Sequence, residues 1–377
     1  MANIGVTMSL ALVTGGKLFY FLASLVVFGL IILFHEGGHF LVAKLKKVRV
    51  EEFAVGFGPP LYQKKVGETL YSIRLIPLGG YVKLTGEDEE PADPLDSSNF
   101  QNKSFLDRMA IVVAGPLMNY ILAFLFLWFS AITFGIPAGD KFSTTLGEIL
   151  PGSQAQLAGL KEKDQVLAIW CFHKQQHGKE LESNEGMEMK KIISTHAGEK
   201  LRLIVKRGNE IKEFLATPTG EIGSKDGKLG FMMVPVYKKV NPFVAIYESA
   251  LDVYIFNKQM IVGLYYVITK KIKSGVSGPV GIVSMMIHQG AQYGFFYFLN
   301  LAAIINVCVG FFNLLPIPAL DGMRLVFLFI GSLRGRSISQ KKEGFVHYIG
   351  FILLILLILV VTYQDILRIV RGDNLIK

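Results

Sequence analysis

Charged residues and cysteines are scarce in this chain of 377 residues, and their scarcity excludes several classes of protein. Only 18% of the residues are charged and 51% are hydrophobic, a balance that does not fit an ordinary soluble domain. Of the two cysteines, Cys171 lies in the central region of mixed polarity and Cys308 lies within an apolar stretch, so they are not expected to meet in a disulfide or a thiolate metal site. We therefore expect a membrane protein without a disulfide.

The net charge of +9 is not accompanied by any sequence signature of a nucleic-acid-binding fold. The basic residues flank apolar stretches, where membrane topology and anionic lipid headgroups explain them. We predict a lipid bilayer as the environment and no nucleic-acid partner.

Four stretches are apolar enough to cross a hydrocarbon core of about 30 Å, which takes roughly 20 helical residues. They predict transmembrane helices at about residues 15–43, 107–134, 292–321 and 344–366. No small-residue cleavage site follows the first stretch, so we expect a retained helix rather than a signal peptide. A fifth span near residues 255–268 is not predicted, because that stretch is short and contains Lys258.

The positions of lysine and arginine predict the orientation of these helices. Lys17 is the one basic residue before the apolar stretch that begins at Leu18, whereas basic residues are dense between Lys44 and Arg108 and again between Arg324 and Lys342. Because basic short loops stay in the cytoplasm, the N-terminus and the long region 140–237 are predicted to be extracytoplasmic.

The sequence His35-Glu36-Gly37-Gly38-His39 stands at the end of the first predicted span. On a helix, His35 and His39 project from one face about one turn apart, which suits two ligands of one zinc ion. Glu36 is placed to act as a general base on water without being a ligand. The alternative is a chance match, but ionisable residues beside an apolar span cost on the order of a few kcal/mol each unless they are partnered.

A catalytic zinc needs a third protein ligand, and Asp321 is the candidate. It is the one acidic residue of the third predicted span, and Pro316 and Pro318 interrupt the helix just before it. The alternative is an interfacial carboxylate that pairs with Arg324. In the predicted topology the first and third spans run in the same direction and carry their motifs late, so the ligands lie at similar depth near the cytoplasmic side.

These motifs resemble those of the site-2 proteases, in particular the bacterial branch that contains the regulator-of-sigma-E protease. The resemblance covers nearly the whole chain and rests on His35–Phe40, on Gly115-x-x-x-Asn119, and on Asn313-x-x-Pro316-x-Pro318-x-x-Asp321-Gly322. One departure is Met323-Arg324, where members of the family often have Gly-His.

The resemblance implies an intramembrane zinc metalloprotease that cuts the transmembrane segment of single-span proteins, such as anti-sigma factors or signal-peptide remnants. It implies that His35, His39 and Asp321 bind Zn²⁺ and that Glu36 activates water. It also implies that Asn119 and Asn313 lie beside the substrate and bind its backbone or the developing oxyanion.

The loop 48–90 between the first two spans is predicted to form a cytoplasmic, membrane-associated β-hairpin. Residues 71–75 alternate in polarity, and Gly79-Gly80 is expected to turn the chain into Tyr81, Val82 and Lys83. An edge strand here would hold an unwound substrate extended by strand addition. The alternative is a solvated basic hairpin with only a topological role.

Residues 140–237 are predicted to form an inserted PDZ-like α+β domain, because the sequence from Leu146 to Leu167 resembles a PDZ strand, turn, short helix and strand. Such a domain either reads peptides or acts as a steric filter, and His173, His177 and His196 in it are expected to be ordinary surface residues. Residues 238–290 are predicted to form amphipathic helices on the membrane surface.

The predicted fold is therefore a polytopic α-helical membrane protein with four transmembrane helices, a β-hairpin and an inserted PDZ-like domain, in a bacterial inner membrane. The competing hypothesis is a catalytically degenerate membrane protein whose PDZ-like domain binds partners. A metal transporter is disfavoured, because the chain has four predicted spans and one copy of the histidine motif.

Overall fold

The computed structural model describes residues 2–87, 95–171, 177–269, 278–335 and 338–371. The helices are α1 (Ala2–Leu45), α2 (Phe105–Phe134), α3 (Gln154–Leu157), α4 (Gly186–Thr195), α5 (Pro242–Ile268), α6 (Pro279–Tyr293), α7 (Phe295–Asn313), α8 (Asp321–Leu333) and α9 (Gln340–Arg371). The strands are β1 (Val50–Val66), β2 (Thr69–Leu84), β3 (Ile136–Ile149), β4 (Gln165–Cys171), β5 (His177–Glu180), β6 (Leu201–Arg207), β7 (Glu210–Ala216) and β8 (Phe231–Lys238). The chain divides into one unit of Ala131–Pro242 and another of Met1–Ser130 with Phe243–Lys377.

The predicted membrane helices are confirmed in number. Within the described residues, four helices are long and apolar enough to cross a membrane, at Gly16–Leu45, Phe105–Phe134, Phe295–Asn313 and Gln340–Arg371. The helix α5 is not among them. The structure therefore has the four-span organisation that the hydrophobic pattern predicts.

The third span ends earlier than predicted. Helix α7 stops at Asn313, and residues 314–320 form no helix before α8 begins at Asp321. The rings of Pro316 and Pro318 exclude the preceding residues from helical conformation, and each proline also lacks an N–H donor. Asp321 is thus the first residue of a new helix rather than a late residue of the third span.

The first unit has hydrophobic cores between its helices and also between helices and the strands β1 and β2. One cluster joins α1, α2, α6 and α7, and it contains Val27, Ile31, Leu122, Met286, Phe298, Ala302 and Ile305. Met286 is fully buried, and a side chain at Gly290 would collide with the ring of Tyr20 on α1. One face of helix α6 is therefore packed against the other helices, and its predicted place on the membrane surface stays a prediction.

Helix α6 is also anchored at its start by a buried carboxylate of α9. Oδ2 of Asp365 accepts hydrogen bonds from the backbone N–H groups of Gly278 and Gly281, each at 2.8 Å. These N–H groups have no intrahelical partners, and an acidic group at a helix N-terminus also interacts favourably with the helix dipole. This contact ties α6 to α9 inside the apolar unit.

The second unit is built around an antiparallel sheet with the strand order β7-β6-β4-β3-β8, and β5 pairs with β4. Alternate residues of β4 and β6 point into one core, since Val166, Leu203 and Val205 are fully buried. Met189 of α4 closes this core from the helical side. The alternation of inward and outward residues explains why this stretch reads as strands in the sequence.

An ion pair between a buried carboxylate and a partly exposed arginine stabilises this sheet. Asp164, which is 0% exposed, accepts two hydrogen bonds from Arg207, from Nε to Oδ1 and from Nη2 to Oδ2, each at 2.7 Å. The guanidinium also lies over the ring of Phe214, 4.8 Å from its centroid. On the same strand, Arg202 pairs with Glu213 at an exposed position.

We predict that Arg207→Met lowers the free energy of unfolding of this unit by about 3 kcal/mol, because it leaves the Asp164 carboxylate buried without its partner. Arg202→Met on the same strand is the matched control and should change it by less than about 1 kcal/mol, since exposed pairs contribute little. Hydrogen exchange of the β4 and β6 amides in the full-length protein measures both. Equal effects of the two substitutions would contradict the prediction.

Candidate metal centre

Three side chains from α1 and α8 bring their ligand atoms together. Nε2 of His35 and Nε2 of His39 lie 3.4 Å apart. Oδ2 of Asp321 lies 3.1 Å from Nε2 of His35 and 3.5 Å from Nε2 of His39. All three side chains are largely buried, with exposed fractions of 14% for each histidine and 19% for the aspartate.

The distances among these atoms fit a zinc ion. With zinc–ligand bonds of about 2.0–2.1 Å, atoms at tetrahedral corners lie about 3.3 Å apart. Lone-pair-bearing atoms at this separation repel one another unless a cation or a shared proton lies among them. Among the described residues, His35, His39 and Asp321 are the one group of histidine, cysteine and acidic side chains found with metal-binding geometry. The residues predicted as ligands are therefore brought together.

Glycines let α1 and α2 approach closely enough to assemble the site. A Cβ atom at Gly38 would lie 2.3 Å from the backbone oxygen of Ala114, and a Cβ at Gly115 would lie 2.2 Å from Nε2 of His39. Both positions thus exclude any side chain. The glycines of the two motifs have a steric role that follows from these contacts.

The loop before Asp321 is held by α9. Ala319 adopts a positive φ of 77°, which is strained for a residue with a Cβ. Its N–H donates to Nδ1 of His347 at 3.2 Å, and the absence of a side chain at Gly350 admits Pro318. These contacts position the start of α8 and hence Asp321.

The second ring nitrogen of each histidine also has a partner. Nδ1 of His39 lies 2.8 Å from the backbone oxygen of Ile111, so it donates and leaves Nε2 free to bind a metal. Nδ1 of His35 lies 3.1 Å from Nδ2 of Asn119. The contact with Ile111 could not be found from the sequence, because a backbone carbonyl has no residue signature.

The ligand group opens into a cleft of about 700 Å³. Glu36 lines the cleft beside the ligands, and Asn313 lines it at the end of α7. Asn119 is instead 0% exposed and lies behind His35. Asn119 is not among the residues that line this cleft, whereas Asn313 is, and the roles predicted for both beside a substrate stay predictions.

The last part of β2 forms one wall of the cleft. Residues Gly79, Gly80, Tyr81, Val82, Lys83 and Leu84 line it. A Cβ at Gly80 would lie 3.1 Å from Cγ of Glu36, so the backbone of this strand passes directly beside that carboxylate. The strand therefore lies where it can contact a chain that enters the cleft.

The β-hairpin differs from the predicted one. Residues 71–73 and 80–82 do not pair with each other; both pair with β1, where Ala54 opposes Ser72 on one side and Tyr81 on the other. The chain reverses at Gly67, with a positive φ of 61°. Gly79 is not the turn: its positive φ of 90° bends β2, and its missing side chain admits the ring of Phe57.

A polar network ties the strands of this sheet together. Nη2 of Arg74 donates to Oε1 of Glu52 at 2.8 Å and to the hydroxyl of Tyr81 at 2.6 Å, and the hydroxyl of Ser72 donates to the same Glu52 oxygen. Burial raises the pKa of Glu52, but the hydrogen bonds from Ser72 and Arg74 outweigh it and hold the pKa below its ordinary value. This network stabilises the strand that lines the cleft.

Other predicted polar residues have separate roles. Arg324, considered as a partner of Asp321, forms an ion pair with Glu87, and both side chains line the cleft. Nδ1 of His196 hydrogen-bonds to the carbonyl of Ile192 at the end of α4. His173 lies outside the described residues, and His177 begins β5. Neither Glu87 nor His347 carried a sequence signal that marked it as part of the site.

We predict that Gly38→Ala lowers zinc affinity by at least roughly tenfold, because the added methyl group separates α1 from α2 and displaces the two histidines. Gly37→Ala is the matched control on the next residue, where a Cβ would meet nothing within 4 Å. Zinc titration against a chromogenic chelator compares the two variants. Equal zinc affinity in both would contradict the role given to the helix contact.

Comparison with known proteins agrees with this geometry. Residues 23–357 match the model of peptidase family M50. The relatives include Zinc metalloprotease RasP of Geobacillus kaustophilus, which is 31% identical with 92% of this chain and 97% of the relative aligned. Putative zinc metalloprotease CA_C1796 of Clostridium acetobutylicum is 36% identical, with 92% of this chain and 97% of the relative aligned. Regulator of sigma-W protease RasP of Bacillus subtilis is 30% identical, with 92% of this chain and 98% of the relative aligned. The chain therefore belongs to peptidase family M50, the site-2 proteases, and is an intramembrane zinc metalloprotease.

Proposed function

We propose that the protein hydrolyses a peptide bond within the transmembrane segment of single-span membrane proteins. The observation that carries the proposal is the joint placement of His35, His39 and Asp321 at one end of a cleft whose wall is an edge strand. The ligands sit on or beside apolar helices of membrane-spanning length. A substrate that reaches them is therefore cut at the depth of the bilayer.

In this proposal His35, His39 and Asp321 hold Zn²⁺ through Nε2, Nε2 and Oδ2. When bound there, zinc supplies a Lewis acid that stabilises negative charge on oxygen. Glu36 takes a proton from the attacking water as the water oxygen bonds to the scissile carbonyl carbon, and then gives it to the leaving nitrogen as the C–N bond breaks. The amide of Asn313 faces the developing oxyanion or the substrate backbone.

The edge strand at residues 79–83 is proposed to hold the substrate in extended form. A helical segment hides its carbonyl groups in intrahelical hydrogen bonds, so hydrolysis requires local unwinding. Pairing with the edge strand offers the unwound backbone new partners, which compensates for the lost helical bonds in an apolar environment. Exposed apolar residues of the hairpin, including Phe57, Leu61 and Ile76, support its association with the membrane.

The proposed location is the bacterial cytoplasmic membrane, with the N-terminus outside and the metal centre near the cytoplasmic side. The density of basic residues after the first and third spans supports this orientation. Residues 140–237 are proposed to be a PDZ-like domain on the extracytoplasmic side. Their antiparallel sheet and the short helices α3 and α4 support that assignment.

Anti-sigma factors are the proposed substrate class, and signal-peptide remnants are a second one. The support is the name of the Bacillus subtilis relative, which describes a protease that regulates sigma-W. Both classes are single-span polypeptides with a helical membrane segment. Such a segment has the form that the cleft and its edge strand would accept.

We predict that Glu36→Gln abolishes cleavage of a single-span substrate, with a loss of at least about 100-fold, while about one zinc per chain is retained. Asp321→Ala should lose both zinc and cleavage, because two histidines alone are a poor zinc site. Metal analysis and a cleavage assay on purified protein measure both variants.

The same experiment tests the competing hypothesis of a degenerate binding protein. That hypothesis expects substrate capture without turnover in the wild type and no effect of Glu36→Gln. Cleavage that persists in Glu36→Gln would exclude the role of this carboxylate. Stoichiometric zinc in Asp321→Ala would exclude the third ligand.

Strand addition makes a separate prediction about the substrate. Replacing single backbone amides by esters removes one N–H donor at a time, and only alternate N–H groups of an added strand face the edge strand. We therefore expect cleavage to fall with a period of two residues along the segment beside the scissile bond. Kinetics with a series of synthetic ester-containing transmembrane peptides measure this, and a loss that does not alternate would refute the mode of binding.

A further inference from the structure

Asn119 occupies an unusual position for a polar side chain. It is 0% exposed on α2, and Nδ2 of its amide lies 3.1 Å from Nδ1 of His35. The other amide atom, Oδ1, is buried and has no hydrogen-bond partner among the described residues. The amide therefore makes one contact, and that contact is with a proposed zinc ligand.

The orientation of this amide decides which nitrogen of His35 carries the proton. If Nδ2 donates to Nδ1, the neutral ring must carry its proton on Nε2. That proton would point toward Nε2 of His39 and Oδ2 of Asp321, 3.4 Å and 3.1 Å away, and His35 could not bind zinc through Nε2. A donating amide is therefore incompatible with zinc binding by His35 through Nε2.

Rotation of the amide by half a turn removes the conflict. The oxygen and nitrogen of an asparagine amide have nearly the same shape, so the rotated group places Oδ1 beside Nδ1 of His35. No other hydrogen bond opposes the rotation, because Oδ1 has none to lose among the described residues. His35 then donates through Nδ1 and keeps the lone pair of Nε2 for the metal.

We propose that Asn119 is a positioning residue whose side-chain carbonyl accepts the Nδ1–H of His35 and thereby holds this ligand in its zinc-binding tautomer. The inference rests on the ligand set given under the proposed function. It assigns to Asn119 the same task that the backbone carbonyl of Ile111 performs for His39. It replaces the expectation that this amide donates to the substrate or to an oxyanion.

The decisive comparison is between an acceptor and a non-polar group at this position. Asn119→Asp keeps an oxygen that accepts from Nδ1 but has no N–H to donate, whereas Asn119→Leu has a similar shape and neither group. Asn306→Leu is the control, since Asn306 is also fully buried and donates to a backbone carbonyl, that of Ala302, at 2.9 Å. The measurement is the zinc dissociation constant of the purified full-length protein, by competition with a chromogenic chelator.

We expect Asn119→Leu to weaken zinc binding by roughly 10–100-fold, the range for lost outer-shell partners of metal-bound histidines. Asn119→Asp should stay within a few-fold of the wild type, and so should Asn306→Leu. Saturating zinc should restore most of the cleavage activity of Asn119→Leu. Thermal unfolding of the zinc-free proteins shows whether Asn119→Leu is folded. If it is unfolded, the zinc affinity of Asn119→Asp alone tests whether an acceptor at this position is sufficient.

Two results would overturn the proposal. Unchanged zinc affinity in Asn119→Leu would show that the amide does not hold the ligand. Loss of zinc in Asn119→Asp to the same extent as in Asn119→Leu would show that donation, rather than acceptance, is required. Absence of zinc from the wild type would instead refute the ligand set itself, so the two failures are distinguishable.

Discussion

Gly38 of α1 lies against the backbone of Ala114 in α2, and Gly115 of α2 lies against the imidazole of His39. At both places the gap between the helices is too small for any side chain. The remaining features of the centre depend on this contact, because it places the carbonyl of Ile111 and the amide of Asn119 within hydrogen-bond distance of the two histidines. Small residues permit such an approach in a bilayer, where helix association depends on close packing rather than on the hydrophobic effect.

The second requirement is a break in the third membrane helix. An uninterrupted helix would carry Asp321 about two turns beyond the end of α7, on a face set by the helical period alone. The prolines within residues 314–320 interrupt the helix, so the position of Asp321 does not follow from the helical period. The contacts of Ala319 with His347 and of Pro318 with Gly350 position the start of α8. Asp321, the proposed third ligand, is thus positioned by a loop that contacts α9.

Polar groups in an apolar environment are costly unless they have partners, and two carboxylates of the first unit have them. Asp365 accepts two N–H groups at the start of α6, and Glu87 pairs with Arg324 at the edge of the cleft. The family resemblance leads one to expect histidine at position 324. The longer side chain of Arg324 reaches Glu87 in the segment that follows β2. The cleft, its edge strand and α8 are connected by this pair.

Much of the membrane topology and part of the candidate metal centre follow from the sequence by itself. Hydrophobic length determined the four spans, the spacing of His35 and His39 placed both rings on one helical face, and the prolines marked the interruption before Asp321. These features are local, because they depend on helix length, period and backbone geometry within a few residues. The proposal that His35 and His39 share one metal ion therefore needed no knowledge of the packing.

Only the tertiary structure decided the rest. Residues 71–73 and 80–82 both pair with β1, so that Ala54 lies opposite both Ser72 and Tyr81. The alternation of polar and apolar residues does not specify strand partners, and it led to the wrong prediction that these two segments pair with each other. Helix α6 reads as amphipathic, and the packing of Ile282 and Met286 against other helices depends on partners that lie elsewhere in the chain. Asn119 looks like a substrate contact in the motif, and its place behind His35 follows from the packing of α2 on α1, which no local pattern specifies.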